Sequence, residues 1–483
     1  MQRKRYRAVN GPGRMEMVTG MKKKLLALAA AGAVAGLTAP AMAQDLGANA
    51  QAAPGTPQTA PEAAPAPPPP RAAGALGRAL FGDALEEHKI MLLGWAEGAA
   101  LVSSNDSKDV SPGAFFNTTD GFNLNQAALM ACSGRACPPF SFGPGAAVHN
   151  RIGPFPGPKS DKVTVDFNVT AIYGEDVQFL KTLGIDGNTR FDRNDGLKFG
   201  LTQAYLEFYL PVLEGTSVMV GSFQTPLENE IGYAFTPPNW FATHTYAFQH
   251  GPAKHVGVLV ESRVVNSPTF GLLGVEAGIV KGWNNWTNEK GDPSFIGALR
   301  WRSVDMNTWI DLEGIYGNGD EDFGPGPGRG GSPYFASSST GKYLGRLSTY
   351  LVVTQTLSTK LSVAFEGTYG QQMPGDVKFV PFAITEKAKW YGANVSARYA
   401  LAPTVFLNAR GEWFNDEKGA HALWNTARGD VFGATANVEW QLSPDVRVRG
   451  EVRYDDHTGA GRLFDNNTKN QQAVGLANIF FLF

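Results

Sequence analysis

From position 90 onward the chain alternates apolar and polar residues with a period of two. Val446, Val448, Gly450, Val452 and Tyr454 alternate with Arg447, Arg449, Glu451, Arg453 and Asp455. Phe432, Ala434, Ala436, Val438 and Trp440 alternate with Thr435, Asn437, Glu439 and Gln441. Leu407, Ala409, Gly411 and Trp413 alternate with Asn408, Arg410 and Glu412. Successive side chains of a strand point to opposite faces, so each segment has one apolar face and one polar face. One such strand suits a soluble sandwich as well as a membrane barrel.

The connections separate the two. Tight turns near 211–215, 266–269, 304–307, 356–359, 401–404 and 442–445 take turns with long polar loops at about 225–253, 283–293, 317–342, 371–387, 416–430 and 457–471. Outer-membrane barrels have short periplasmic turns and long outer loops, an asymmetry a sandwich has no reason for. The pattern predicts an all-β, antiparallel, up-and-down transmembrane β-barrel of sixteen strands over 90–483. An even count leaves both termini in the periplasm. Fourteen or eighteen strands stay open, because 132–162 is a long periplasmic join and 246–248 would add a strand. The last strand, 473–483, is predicted to pair with 90–102 and leave no open edge. Phe483, Phe481, Ile479 and Ala477 form its lipid face, with Phe483 the signal read by the barrel-assembly machinery. Tyr209, Trp283, Trp301, Tyr316, Tyr369, Trp413, Trp440 and Tyr454 are predicted to form girdles at headgroup level.

The N-terminal part has a different pattern. Lys22, Lys23 and Lys24, an apolar run at 25–37 and Ala41-Met42-Ala43 predict a Sec signal peptide over 21–43. Its apolar run is too short to span a bilayer. Residues 1–20 read as an over-called start or an unusually long n-region of the signal. The Ala- and Pro-rich stretch 44–74, with four prolines at 67–70, reads as a periplasmic linker. Leu76, Leu80, Phe81 and Leu85 predict a short helix within 75–89, with a plug or partner-binding role as the sharper alternative.

Residues 1–43 hold eight Lys/Arg and one Glu. Of the chain's 42 basic and 44 acidic residues, 34 and 43 then remain, a net of about −9. Nucleic acid is therefore excluded as a partner, since phosphate binding needs a basic face. Cys132 and Cys137 are the two cysteines, and export to an oxidising compartment favours a local disulfide over two free thiols.

Several segments carry a resemblance. AYLEFYLPV (204–212), VGSFQTPLENE (220–230), GPAKHVGVLVE (251–261) and GIVKGWNN (278–285) run in order, and FNLNQ (122–126) fits an early strand. Together they resemble the β-barrel porin 2 family, the OmpL-like outer-membrane porins. The resemblance implies a Gram-negative outer-membrane barrel for ion and solute transport. It also marks two departures: this chain has Glu228 where the family usually has Gly, and the Cys-bearing 132–162 stretch is not part of the pattern.

No Gly-x-Ser-x-Gly elbow and no His-Glu-x-x-His helix is present, so no enzyme, metal site or organic cofactor is expected. A barrel hydrolase would need a Ser or Asp with a His brought together in space. The charge arrangement is the better functional lead. Arg398, Arg410, Arg447, Arg449 and Arg453 fall at inward positions, and loop 225–253, the third outer loop by strand count, brings Glu228 and Glu230. These seven residues are predicted to form a pore constriction, acid loop against arginine wall, whose field sorts small hydrophilic solutes. The bland alternative is that the arginines merely brace the wall. Phe241, Tyr246 and Phe248 in the same loop are expected to glue it in place or to form an aromatic slide for sugars. Outer-membrane lipid and lipopolysaccharide are expected surroundings; the acidic stretch 318–323 reads first as a solvated loop, with binding of divalent cations that bridge lipopolysaccharide as the alternative, and a homotrimer fits the strand number without a subunit-contact signal in the sequence. A structural or surface-binding barrel with a closed lumen is the competing class.

Overall fold

The computed structural model describes residues 75–110, 119–137, 159–182, 184–187, 189–193, 196–230, 239–286, 293–318, 323–324, 332–333, 345–373, 386–419 and 427–483. The predicted signal peptide and linker, and most of 318–323, lie outside them. No helix among them is long and apolar enough to cross a membrane. Two short helices, α1 (Ala75–Phe81) and α2 (Ala84–Glu87), precede the strands.

Sixteen strands close into one antiparallel barrel. They are β1 (Ile90–Ser103), β2 (Gly121–Ser133), β3 (Thr164–Gly174), β4 (Lys198–Leu210), β5 (Thr216–Gln224), β6 (Lys254–Ser267), β7 (Gly271–Val280) and β8 (Ser294–Arg302). They continue with β9 (Thr308–Asn318), β10 (Gly345–Thr356), β11 (Leu361–Gln372), β12 (Ala388–Ala402), β13 (Val405–Asp416), β14 (Arg428–Ser443), β15 (Val446–Ala460) and β16 (Gln471–Leu482). A two-residue ladder, Phe323–Gly324 with Ser332–Pro333, lies between β9 and β10. The 246–248 stretch is one turn of helix, α3 (Tyr246–Gln249), rather than a strand.

Burial is inverted relative to a water-soluble sheet. Along β15, Arg447, Arg449, Glu451, Arg453 and Asp455 are buried inside while Val452 and Tyr454 are exposed. Leu206, Val258, Ile279, Leu299, Leu312, Val395 and Ile479 are exposed on other strands. Lipid accepts such a face, and the hydrogen-bond ladder leaves no unpaired backbone toward it. Trp440, Tyr454, Tyr316 and Tyr369 are exposed as a girdle requires. Tyr209 and Trp283 are buried instead. Tyr209 shares the inward parity of Glu207, and Trp283 lies beyond the end of β7, where strand parity no longer fixes its direction.

Closure is made by β16 on β1, in register from Trp95↔Leu482 to Ser103↔Val474. Beyond the strand end, Gly94 and Phe483 exchange both backbone hydrogen bonds at 2.8 Å. A Cβ on Gly94 would stand 2.3 Å from the Phe483 ring, so only glycine lets the terminal aromatic lie across β1. Cys132 and Cys137 are disulfide-bonded. Between them the turn Gly134–Ala136 tucks under the β2–β4 wall, where the Ala136 carbonyl accepts from Asn168 at 2.8 Å. The Arg135 guanidinium lies 3.6 Å from the Tyr209 ring.

Candidate functional site

The described parts of loop 225–253, residues 225–230 and 239–253, are bonded to different stretches of the bore wall. Its first arm runs along β8, β9 and β11. Arg300 donates to the Pro226 carbonyl at 2.8 Å, and the amides of Glu228 and Asn229 donate to Glu313 (2.6 Å) and Glu366 (2.7 Å). The far side docks on β13 and β15. The Ala242 and Thr243 amides donate to Glu451 at 2.8 and 2.9 Å, and the Tyr246 amide donates to Glu412 at 2.9 Å. Arg410 donates to the Thr243 carbonyl at 3.0 Å, and Arg453 donates to the His244 carbonyl at 2.9 Å. A loop in the bore has no sheet partner for its backbone, and these charged wall groups supply one.

Residues within the loop reinforce this. Thr245 caps α3 by accepting from the Phe248 amide at 3.1 Å. His250 bridges the Tyr246 carbonyl (2.9 Å) and Asp416 (3.3 Å). Phe241 lies under the Arg410 guanidinium at 4.5 Å, Tyr246 lies 5.2 Å from that of Arg453, and Phe248 stacks on His244 at 4.2 Å. Phe241 and Tyr246 therefore meet wall arginines, whereas the Phe248 contact lies within the loop.

The predicted constriction residues do not form one facing pair of rows. Glu230 does meet the arginine wall, with Arg410 donating to it at 2.6 Å. Burial would raise its carboxyl, but the Arg410 charge and the His244 and Thr245 contacts override that and hold it at about 2. Glu228 stands on the opposite, acidic side, beside Glu313, Glu366 and Tyr350. Burial, and then the Glu366 charge, push its carboxyl well above the ordinary range. Its φ of +73° is left-handed, a conformation that glycine adopts without strain.

The five arginines also divide. Arg410 and Arg453 belong to the loop's dock, where Arg453 also holds Glu412 (2.6 Å) and Asp455 (2.8 Å). Arg398, Arg447 and Arg449 gather on a single carboxylate, Glu439, at 2.8, 3.5 and 3.1 Å. On the rest of the wall, from β6 round to β11 beside β12, stand Glu261, Glu276, Glu313 and Glu366, with Arg300 among them at 2.6 Å from Glu313. The bore thus has an acid-rich side and an arginine-rich side.

Sequence reasoning missed the clamping acids Glu313 and Glu366, although both lie at inward parity on strands it had placed. It also missed the second long loop, 175–197. There Asp176 accepts from Asn125 (2.9 Å) and Gln126 (2.8 Å) of β2, and Lys254 reaches Asp186 at 3.0 Å. Nothing in the spacing of that loop announces an inward fold. Among the described residues no His, Cys, Asp and Glu cluster has the arrangement of a metal site.

A closed sixteen-strand barrel with an apolar outer face, a charged bore and a loop across it defines the class of outer-membrane porins. Residues 89–483 match the family described as beta-barrel porin-2, OmpL-like, and the chain belongs to that family and to the Gram-negative outer membrane. No curated protein matches. Among solved structures, the chain is similar to the anion-selective porin from Comamonas acidovorans at 10% identity and TM-score 0.49, over 82% of this chain and 99% of that one. It is similar to OmpT of Vibrio cholerae in its trimer form, at 12% identity and TM-score 0.47, over 82% and 99%. The outer membrane channel DcaP of Acinetobacter baumannii gives 10% and 0.47, over 82% and 97%. Likenesses of this degree assign no residue a role.

Proposed function

We propose that this barrel passes small hydrophilic solutes passively and that loop 225–253 is its constriction. The observation that carries the reading is the double docking of that loop, on Glu313 and Glu366 on one side and on Glu412, Glu451, Arg410 and Arg453 on the other. A loop so fixed narrows the path without closing and opening at each passage. The acid-rich and arginine-rich sides create a transverse field that orients dipolar solutes. On this reading the chain is exported by its 21–43 signal, inserted by the barrel-assembly machinery through Phe483, surrounded by lipid and lipopolysaccharide, and assembled as a homotrimer. It performs no catalysis and needs no cofactor.

Liposome swelling tests the reading. Vesicles carrying the folded protein are expected to swell in arabinose and glycine and progressively more slowly as solute mass rises. Swelling no faster than in protein-free vesicles would favour a structural barrel with a closed lumen.

A further inference from the structure

We propose that loop 175–197 is the second wall of the constriction, so that solutes pass between it and loop 225–253, and that Asp176 positions it in the bore. The inference rests on the porin reading and goes beyond it by giving the aperture a second loop.

Three observations meet here. The first is an apolar stretch of inner wall. Leu93 and Trp95 share the inward parity of Glu97 on β1, and their register partners carry the same face onto neighbouring strands. Met130 of β2 pairs with Leu93, Ile172 of β3 with Ala128 beside Trp95, and Phe480 of β16 with Glu97. A water-filled bore is lined by polar groups, so apolar side chains at these positions need a cover. Val177 and Leu180 of the loop supply it, buried in one cluster with Leu93, Trp95, Met130, Ile172 and Phe480.

The second observation is how the loop is tied. Asp176, itself buried, opens a short helical turn, Asp176–Phe179, and accepts from Asn125 at 2.9 Å and Gln126 at 2.8 Å. Gln126 in turn accepts from the Trp95 indole at 3.0 Å, so the tie and the apolar wall are one unit. The Glu175 amide donates to the Leu124 carbonyl at 3.0 Å. At the other end Asp186 accepts from the Leu201 amide at 2.7 Å and from Lys254 at 3.0 Å. Lys181 closes the loop on itself through Asp192 at 2.6 Å.

The third is where the two loops hold. Loop 175–197 is bonded to β2, β4 and β6 and shares its apolar cluster with β1, β3 and β16. Loop 225–253 is bonded to β8, β9, β11, β13 and β15. In ring order these are complementary arcs of one wall. The wall opposite loop 225–253 is therefore itself covered by a loop.

Purified full-length protein in planar bilayers, in potassium chloride with polyethylene glycols of graded size, tests this. Asp176→Ala removes the acceptor for Asn125 and Gln126. It is expected to raise the single-channel conductance by about half or more and to admit larger polymers than the parent does. A Cβ on Gly200 would stand 3.9 Å from that of Val177, the spacing found across a disulfide. Val177→Cys with Gly200→Cys therefore pins the loop to β4. Once oxidised, this pair added to Asp176→Ala is expected to restore the parental conductance and polymer cut-off. A lost charge or a damaged wall would not be reversed in this way. Lys254→Met releases the other end of the loop and is expected to act in the same direction. It decides the question, with the same cross-link, if Asp176→Ala fails to fold by heat-modifiable gel mobility. A variant that conducts with the parental conductance and cut-off overturns the second wall. So does an enlargement that the cross-link leaves in place, and either result leaves the porin reading standing. A folded barrel that never conducts overturns both.

Discussion

At the scale of single residues, Glu228 and Glu230 show how position two apart in one loop separates two carboxylates. Glu230 is neutralised by Arg410, whereas Glu228 is held among acids with a left-handed backbone. A side chain at such a φ costs about 1–2 kcal/mol that glycine avoids. Glu228→Gly is therefore expected to stabilise the barrel by about 1 kcal/mol, read as a higher urea midpoint for the gel-mobility shift. A lower midpoint would mean that the carboxylate contributes more than its backbone costs. Glu230 also gives a pH signature. Its carboxyl is held at about 2 against 4.5 when free. A group lowered on folding stabilises above its unfolded value and loses that contribution as pH falls from about 4.5 toward 2. Glu228 has the opposite sign, so the comparison must be with Glu230→Gln. Current noise is expected to rise below about pH 4 in the parent, while the variant shows it already at neutral pH. Equal noise in both at every pH would contradict the tie.

At the scale of elements, the strands were the legible part. Strict alternation fixes which side chain faces the bore, and Arg398, Arg410, Arg447, Arg449 and Arg453 are all inside as parity requires. Loop 225–253 was recognisable as the third long connection. Its docking was not, because backbone amides carry no sequence code, and a wall glutamate that accepts from a loop looks the same in the sequence as one that faces water. Tyr209 and Trp283 went to the inside for reasons of parity and strand end that a rule about aromatics near rims ignores. The inward fold of 175–197 depends on Asp176 meeting Asn125 and Gln126, about fifty residues away. The clamp makes a direct prediction. Glu451→Gln weakens the charged acceptor for two loop amides and for Asn437, at a cost of roughly 2 kcal/mol. The variant is expected to fold and to show larger, noisier current steps. Steps of unchanged size and noise would mean that Glu451 does not hold the loop.

At the scale of the molecule, the barrel puts its apolar residues outside and its charge inside, and the terminal aromatic strand joins the ends. Gly94 and Phe483 make that seam, with paired backbone bonds and a ring lying where a Cβ would be. Within the closed wall one side of the bore carries a run of glutamates and the other interleaves arginines with acids, and the loop is tied to both. On the function we propose, transport down a gradient asks no more chemistry of this protein than a water path, a fixed narrowing and a field across it. The most direct measurement is the single-channel current of the purified, folded protein in a planar bilayer. Discrete ohmic steps, larger in Glu451→Gln than in the parent, are the expected result. A barrel that is folded by gel mobility and yields no steps at any voltage would contradict the account.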